Sequence, residues 1–155
     1  MSLKIAGDGP MADEVNADSH GNIGIEWLGR VSRERVVELM KGAAVLVFPS
    51  VWYETFGMSI IEAFAVGLPV IASKIGVVNS LVDHERTGLH FLPGNAVDLA
   101  AQVEWMLAHP SQWRQMRRNA RAEFEAKYTA KTNYETLIRI YESAIDRVKS
   151  ERTTL

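Results

Sequence analysis

The stretch AAVLVFPSVWYETFGMSIIEAFAVGLPVIAS, residues 43–73, decides the fold class. Its first six residues form an unbroken apolar run that ends at Pro49, which is typical of a strand covered on both faces in a parallel sheet. A helix is predicted over 57–65, closed by a glycine and a proline, and a second apolar strand over 68–73. Strand, helix and strand in this order form a βαβ unit, whose two strands are parallel.

The flanking sequence continues the alternation of strands and helices. Further strands are predicted over 3–6, 23–27 and 89–92, a short helix over 79–82, helices that begin at Pro10 and after the cap Ser32, and three closing helices over about 95–107, 111–127 and 130–149. We therefore expect an α/β fold, a Rossmann-like parallel sheet of about five strands with helices on both faces and C-terminal helices. Because no repeat or linker divides the sequence, residues 1–155 are predicted to form a single domain.

Composition places the chain among globular domains and excludes several classes of protein. Of its 155 residues 47% are hydrophobic and 23% are charged, the net charge is -2, and cysteine is absent. The lack of cysteine excludes a disulfide scaffold, a thiolate metal site and a cysteine nucleophile. The slightly acidic balance argues against nucleic-acid binding, and no window predicts a transmembrane segment or a signal peptide. We expect a cytoplasmic protein.

Two carboxylates, Glu54 and Glu62, flank the junction of loop and helix that follows the first apolar strand. Ligands of open α/β sheets bind at the carboxyl ends of the strands, and a helix start beside Gly57 favours a diphosphate. Glu62, more than one turn into the helix, can bind the vicinal hydroxyls of a ribose. Glu54, on the loop, can reach whatever is attached beyond the diphosphate. Spacing alone leaves open a solvent-facing pair on an amphipathic helix.

A second glycine-rich turn lies near the start of the sequence. Gly7, Gly9 and Ala12 match the pattern G-x-G-x-x-A, and Glu26 follows about twenty residues on, where a dinucleotide fold places its ribose-binding acid. Pro10 removes an N–H group from this turn, and a plain strand-to-helix turn explains Gly7 more simply. A fragment of an NAD-dependent oxidoreductase is therefore kept as a less favoured hypothesis, behind the two that are given below.

Several motifs occur together and in a fixed order. Besides residues 48–73, they are Gly7-Asp8-Gly9-Pro10, Leu28-Gly29-Arg30-Val31, Thr87-Gly88-Leu89, Leu92-Pro93-Gly94-Asn95 and Ile140-Tyr141. This set resembles the group 1 glycosyltransferases, the family 4 retaining nucleotide-sugar enzymes of GT-B fold, with 48–73 similar to their E-x7-E region. The similarity runs from about Leu3 to Tyr141. It implies that the chain is the C-terminal, donor-binding domain of a two-domain enzyme.

The resemblance implies a nucleotide-diphosphosugar donor and a role for each matching residue. Glu54 would contact the donor sugar and is the catalytic candidate, while Glu62 would bind the ribose and Arg30 would lie beside the nucleobase. The implied reaction is hexosyl transfer with retention, in which the charge on the leaving diphosphate is stabilised electrostatically, and it needs no metal and no cofactor. The donor-binding residues implied in this way are Phe56, Gly57, Met58, Glu62, Gly7, Arg30 and Val31.

Two departures from the family pattern stand out. Where relatives commonly carry Gly-Gly and then Pro-Glu, this chain has Val77 for the second glycine and Ser80 for the acid. These residues support an alternative, a non-catalytic nucleotide-binding or docking module of the same fold. The relatives' N-terminal acceptor domain is also expected to be absent. We therefore expect the isolated chain to be inactive and to need that domain in cis or on a partner chain. Peripheral association with a membrane is expected only for the full-length protein.

The aromatic residues and the last helix complete the sequence-based expectations. Trp52 and Tyr53 are able to stack on a ligand, but aromatics beside a buried strand are more often core residues, and we interpret them as core. We interpret Trp105 and Trp113 as helix packing, and we find no zinc-ligand spacing among the four histidines. The last helix carries an apolar stripe at helical spacing, which we expect to be partly uncovered and to promote self-association. The stripe consists of Tyr134, Leu137, Ile138, Tyr141, Ile145 and Val148.

Overall fold

The chain folds into two compact units that divide after Gly42. The structure, a computed structural model, describes the backbone of residues 2–153 and the side chains of residues 2–147. The expectation of a single domain over 1–155 stays a prediction. In chain order the elements are β1 (Leu3–Ile5), α1 (Ala12–His20), β2 (Ile25–Trp27), α2 (Arg33–Gly42), β3 (Leu46–Phe48), α3 (Met58–Ala65), β4 (Val70–Ser73), α4 (Gly76–Leu81), β5 (Gly88–Phe91), α5 (Ala96–Ala108), α6 (Pro110–Lys127) and α7 (Ala130–Thr153).

The first unit contains one parallel strand pair and two helices. β1 pairs with β2, and the central residues of the two strands, Lys4 and Glu26, lie opposite each other. Their side chains form an exposed ion pair with an N–O distance of 2.6 Å. Helix α2 has the predicted cap, because Ser32 Oγ accepts a hydrogen bond from the N–H of Arg35 at 3.2 Å.

The second unit is built on a three-stranded parallel sheet in the order β3, β4, β5. All four residues of the central strand β4 are buried. Ile71 of this strand and Leu89 and Phe91 of β5 pack against Met106 of α5 and Met116 of α6. This cluster is the core on which the carboxyl ends of β3 and β4 are positioned.

The prediction of one sheet with about five strands is wrong in its pairing. All five strands are present, but they form a two-stranded sheet and a three-stranded sheet. β1 and β2 carry Lys4 and Glu26 at the centre of their ladder and are only partly buried, so this pair is not covered on both faces. β3 is also only partly buried, and it spans Leu46–Phe48 within the predicted run. Short apolar runs predict strands, but they do not predict which strands share a ladder.

Two glycines explain details of the second unit that periodicity could not predict. A Cβ on Gly88 would lie 1.9 Å from the carbonyl oxygen of Val70, so only glycine allows β4 and β5 to pair at this position. Helix α4 begins at Gly76, with a φ of 49°, and not at Asn79 as predicted. Left-handed glycine after the extended residue Ile75 starts this helix one turn earlier.

The closing helices cover the sheet and carry the two tryptophans expected there. Trp113 donates a hydrogen bond from Nε1 to the carbonyl oxygen of Ala44 at 2.7 Å, and Trp105 packs beside the core cluster. Both tryptophans therefore serve helix packing, as predicted.

Helix α7 leaves much of its apolar stripe exposed within the described part of the chain. Four residues of the stripe are exposed, namely Tyr134, Leu137, Tyr141 and Ile145, whereas Ile138 is partly buried. The side chain of Val148 lies outside the described residues. The stripe is thus partly uncovered as expected, while self-association through it stays a prediction. No helix in the described range combines the length and the apolar character needed to cross a bilayer.

Candidate functional site

The start of helix α3, the helix that follows β3, presents backbone N–H groups that have no acceptor within the helix. Gly57 caps the helix in a left-handed conformation, with a φ of 80° and a ψ of 53°. The first bond of the helix runs from the N–H of Ile60 to the carbonyl oxygen of Gly57 at 3.0 Å. The N–H groups of Met58 and Ser59 therefore have no acceptor within the helix. Because the first turn also contains no acidic residue, its positive dipole end suits an anion.

Tight packing fixes the position of this helix start. Ile60 and Phe64 are completely buried, and a Cβ on Gly57 would lie 3.2 Å from Leu81 and 3.3 Å from Ile60. Met58 is exposed, and Glu62 is partly buried one turn further along the helix. The structure thus places Gly57, Met58 and Glu62 on one rigid element.

A serine for which no role was predicted, Ser50, holds the catalytic candidate Glu54. Ser50 Oγ donates a hydrogen bond to Glu54 Oε1 at 2.8 Å, and the N–H of Trp52 donates to Ser50 Oγ at 3.3 Å. Glu54 is partly buried. Ser50 lies four residues before Glu54 in a loop without periodicity, so no pattern in the sequence could have identified this pair.

Two aromatic contacts anchor the rest of the loop. The ring of Tyr53 packs over Gly76, where an added Cβ would lie 2.8 Å from Tyr53 Cδ1. Phe56 meets Tyr128 edge to face, with ring centroids 6.5 Å apart, and burial raises the pKa of the Tyr128 hydroxyl. The loop therefore contacts the start of α4 and the end of α6.

The interpretation of Trp52 and Tyr53 as core aromatics is wrong. Trp52 is 77% exposed and Tyr53 is 82% exposed. Their proximity to an apolar strand suggested burial, but the chain leaves the sheet at Pro49, so both side chains project from the loop beside Glu54. The Tyr53 ring keeps a contact with Gly76.

The two departures from the family pattern lie in α4. Val77 is partly buried and Ser80 is exposed, so this helix offers no carboxylate where relatives commonly have one. Ser73, at the carboxyl end of β4, is completely buried, and its Oγ has no hydrogen-bond partner within the described residues.

The remaining predicted residues, Gly7, Arg30 and Val31, belong to the first unit. The N–H of Gly7 donates to the carbonyl oxygen of Gly29 at 2.8 Å, and Trp27 Nε1 donates to the carbonyl oxygen of Gly7 at 3.2 Å. The turns that follow β1 and β2 therefore lie side by side, with Arg30 exposed and Val31 partly buried.

The geometry of the first unit argues against a dinucleotide site. Glu26, which would have to bind a ribose, lies in the middle of a strand and forms an ion pair with Lys4. A ribose-binding acid of a dinucleotide fold follows its strand.

His84 and His90, on either side of the start of β5, pack against each other. His84 and His90 stack with ring centroids 5.5 Å apart, and the backbone N–H of His90 donates to His84 Nδ1 at 3.0 Å. Burial, with smaller contributions from the charges of His84 and Lys74, lowers the pKa of His90. Among the residues that the structure describes, no cluster of three acidic or histidine side chains could hold a metal ion.

Comparison with known proteins identifies relatives of most of the chain. A family model described as "Glycosyl transferases group 1" matches residues 1–123. The D-rhamnosyltransferase WbpZ of Pseudomonas aeruginosa is 35% identical over 130 residues, which are 81% of this chain and 34% of that protein. The chain therefore spans about a third of the length of this relative.

Solved structures share the fold over nearly the whole chain. Sucrose-phosphate synthase from Thermosynechococcus elongatus has a TM-score of 0.81 at 27% identity, covering 94% of this chain and 39% of that one. HepE of Anabaena, in complex with UDP-glucose, has a TM-score of 0.82 at 23% identity, covering 92% of this chain and 41% of that one. The α/β fold class predicted from the sequence is therefore confirmed.

Proposed function

The chain belongs to the group 1 glycosyltransferases, and on this premise we propose that it binds a nucleotide-diphosphosugar as the donor half of a GT-B enzyme. One observation carries the proposal, the helix start at Gly57 that presents N–H groups without an acid in its first turn. Such a helix start binds a diphosphate through its N–H groups and its dipole. The fold shared with HepE, whose structure holds UDP-glucose, supports this assignment.

The proposal extends to transfer of a hexosyl group with retention. When the bond between sugar and diphosphate breaks, negative charge grows on the leaving diphosphate. N–H groups already fixed at the helix start stabilise that charge without rearranging. Glu54 contacts the donor sugar and Glu62 binds the ribose, so the two acids act in binding and in stabilising the transition state. No metal or cofactor has a part in this scheme.

Residues of the first unit keep the roles that the family resemblance assigns to them. Arg30 and Val31 lie beside the nucleobase in this proposal, and Gly7 belongs to the donor-binding residues. The side-by-side arrangement of the turns after β1 and β2 supports the grouping of these three residues.

We propose that the isolated chain does not catalyse transfer. It spans 34% of the rhamnosyltransferase that it resembles, and in this proposal an acceptor-binding domain acts with it, in cis or on a partner chain. Fusion to the N-terminal domain of a relative tests this point. A product whose anomeric configuration matches that of the donor, read by proton NMR, supports a retaining transferase.

A second candidate function is a nucleotide-binding docking module without catalysis. Val77 and Ser80 favour it, because α4 offers a valine and a serine where relatives have a glycine and an acid. The same fusion protein separates the candidates, since a docking module binds nucleotide but transfers no sugar.

The two acids have separable roles that binding measurements test. UDP, GDP and ADP and their glucose conjugates are first titrated against the wild-type chain. The nucleoside diphosphate that binds, and its glucose conjugate, are then used for every variant. Glu62→Gln should weaken both the nucleoside diphosphate and the nucleotide sugar by about tenfold or more, because a charge-assisted hydrogen bond to the ribose is lost. Glu54→Gln should weaken only the nucleotide sugar.

Glu104→Gln, an exposed substitution on α5, serves as the matched control and should change neither affinity. Equal weakening of both ligands by Glu54→Gln would refute the contact between Glu54 and the sugar. Unchanged binding in Glu62→Gln would refute the ribose assignment.

A further inference from the structure

We propose that Ser50 is a positioning residue for the donor sugar, because its hydroxyl holds one oxygen of the Glu54 carboxylate and leaves the other to accept from the sugar. The inference rests on the proposed function and deepens it. It concerns a residue that neither the sequence motifs nor the comparisons assign. Ser50 does not touch the substrate in this proposal and acts only through Glu54.

The hydrogen-bond geometry gives the Ser50 hydroxyl one direction. A serine hydroxyl has a single proton to donate and two lone pairs. Two acceptors lie within reach of Ser50 Oγ, namely Glu54 Oε1 at 2.8 Å and the carbonyl oxygen of Trp52 at 3.4 Å. The proton goes to the carboxylate, which is closer and charged. The N–H of Trp52 donates to a lone pair of the same oxygen at 3.3 Å.

Contacts before, within and after the loop from Ser50 to Glu54 restrict its backbone. Before it the chain leaves β3 through Pro49, whose ring restricts the backbone. Within the loop Tyr53 contacts Gly76, and after Glu54 Phe56 packs against Tyr128. These contacts restrict the loop, and the Glu54 side chain has rotamer freedom of its own. Within the described residues, Ser50 is the side chain that hydrogen-bonds to it.

This arrangement favours sugar binding by restricting Glu54 in advance. A glutamate side chain has several rotamers, and ordering it on binding costs conformational entropy. When Ser50 restricts Glu54 in the folded protein, that cost falls on folding and not on binding. A group held in one geometry before the substrate arrives is also the arrangement that stabilises a transition state best.

The first test compares two ligands in Ser50→Ala, with Ser111→Ala on α6 as the matched control. Ser50→Ala should weaken the nucleotide sugar about five- to tenfold and leave the nucleoside diphosphate unchanged. Ser50→Thr keeps a hydroxyl and should recover most of the loss. In the Glu54→Gln background, Ser50→Ala should have no comparable further effect, because the two residues act as one unit.

Equal weakening of both ligands in Ser50→Ala would overturn the proposal and indicate a general structural role for the hydroxyl. A loss that persists in full in the Glu54→Gln background would also overturn it. Ser111→Ala should leave both affinities unchanged.

A second measurement needs no ligand and separates this proposal from the proposed function. Three-bond NMR couplings report whether the Glu54 side chain occupies one χ1 rotamer. We expect one rotamer in the wild-type chain and in Ser50→Thr, and averaging among rotamers in Ser50→Ala. A single rotamer in all three would refute the positioning role. If wild type binds no nucleotide, the proposed function fails, while these couplings still decide whether Ser50 restricts Glu54.

Discussion

The backbone conformation of one residue, Gly57, forms both the turn that ends the loop and the helix start of the proposed site. Its φ of 80° places it in the left-handed region, where any residue with a Cβ is strained. The same conformation turns the chain from the loop into α3 and exposes the N–H groups of the first turn. The glycine therefore serves the fold and the proposed diphosphate site together.

Gly57→Ala should lower the free energy of unfolding by about 1–2 kcal/mol, the cost of a left-handed alanine. The new methyl group would also lie 3.2 Å from Leu81 Cδ1 and 3.3 Å from Ile60 Cδ1, which adds to the strain. Urea denaturation measures the change. Gly42→Ala is the control, because nothing lies within 4 Å of its added Cβ, and it should be close to neutral. Equal stabilities for the two variants would contradict the strain at Gly57.

The sequence predicted the site residues that belong to a motif. It did not predict residues whose part in the site depends only on a contact in the folded chain. Gly57 and Glu54 follow from the loop-to-helix pattern. Ser50 and Tyr128 do not, since their partners are set by the path of the loop and by packing between distant segments. Trp52 was misassigned because the apolar character of a residue does not show on which side of a turn it will lie.

Helix α6 is tied to the turn before β5 by a buried carboxylate. Glu123, with a side chain only 9% exposed, pairs with Arg86 Nη2 at 2.6 Å and with Lys127 Nζ at 2.5 Å. Asn119 Nδ2 adds a hydrogen bond to the carbonyl oxygen of Arg86 at 2.9 Å. Burial alone would raise the pKa of Glu123, but the hydrogen bonds and charges of Lys127 and Arg86 outweigh it, so the pKa lies below its ordinary value.

The lowered pKa of Glu123 makes the attachment of α6 dependent on pH. Because the folded state holds this carboxylate in its charged form, the stabilisation is complete above the ordinary pKa of a glutamate. It is lost as the pH falls below that value and through the lower pKa of the folded state. Glu123→Gln should cost about 1–3 kcal/mol at pH 7 and should lose less stability than wild type on acidification.

Urea denaturation at pH 7 and at pH 3.5 measures both effects. Glu125→Gln is the control, because its ion pair with Arg121 is exposed, and an exposed pair contributes about 1 kcal/mol or less. A Glu123→Gln variant with the stability and pH dependence of wild type would contradict the role of the buried pair.

At the scale of elements, the strands and helices were predictable and the pairing of the strands was not. The apolar run over 43–48 and the Ser32 cap indicated elements that the structure contains, with ends shifted by a few residues. Ladder partners depend on contacts between distant segments, so the split into two sheets was not visible in any local pattern. The close pairing at Gly88 is such a contact, with its Cβ position 1.9 Å from Val70 O.

At the scale of the whole molecule, the order of several motifs was the strongest evidence in the sequence. Each motif alone has a structural explanation, as the turn at Gly7 does. Together they predicted the family, which the match over residues 1–123 confirms. The two compact units were not predicted, because no composition change or linker marks the division after Gly42.

The central claim, that the chain binds a nucleotide-sugar donor, is tested most directly by calorimetric titration with UDP, GDP, ADP and NAD. We predict that one nucleoside diphosphate binds and that Glu62→Ala weakens it by about 1–3 kcal/mol, the loss of a charge-assisted hydrogen bond. NAD should not bind. Binding of NAD that is unaffected by Glu62→Ala, or no binding of any of the four ligands, would contradict the claim.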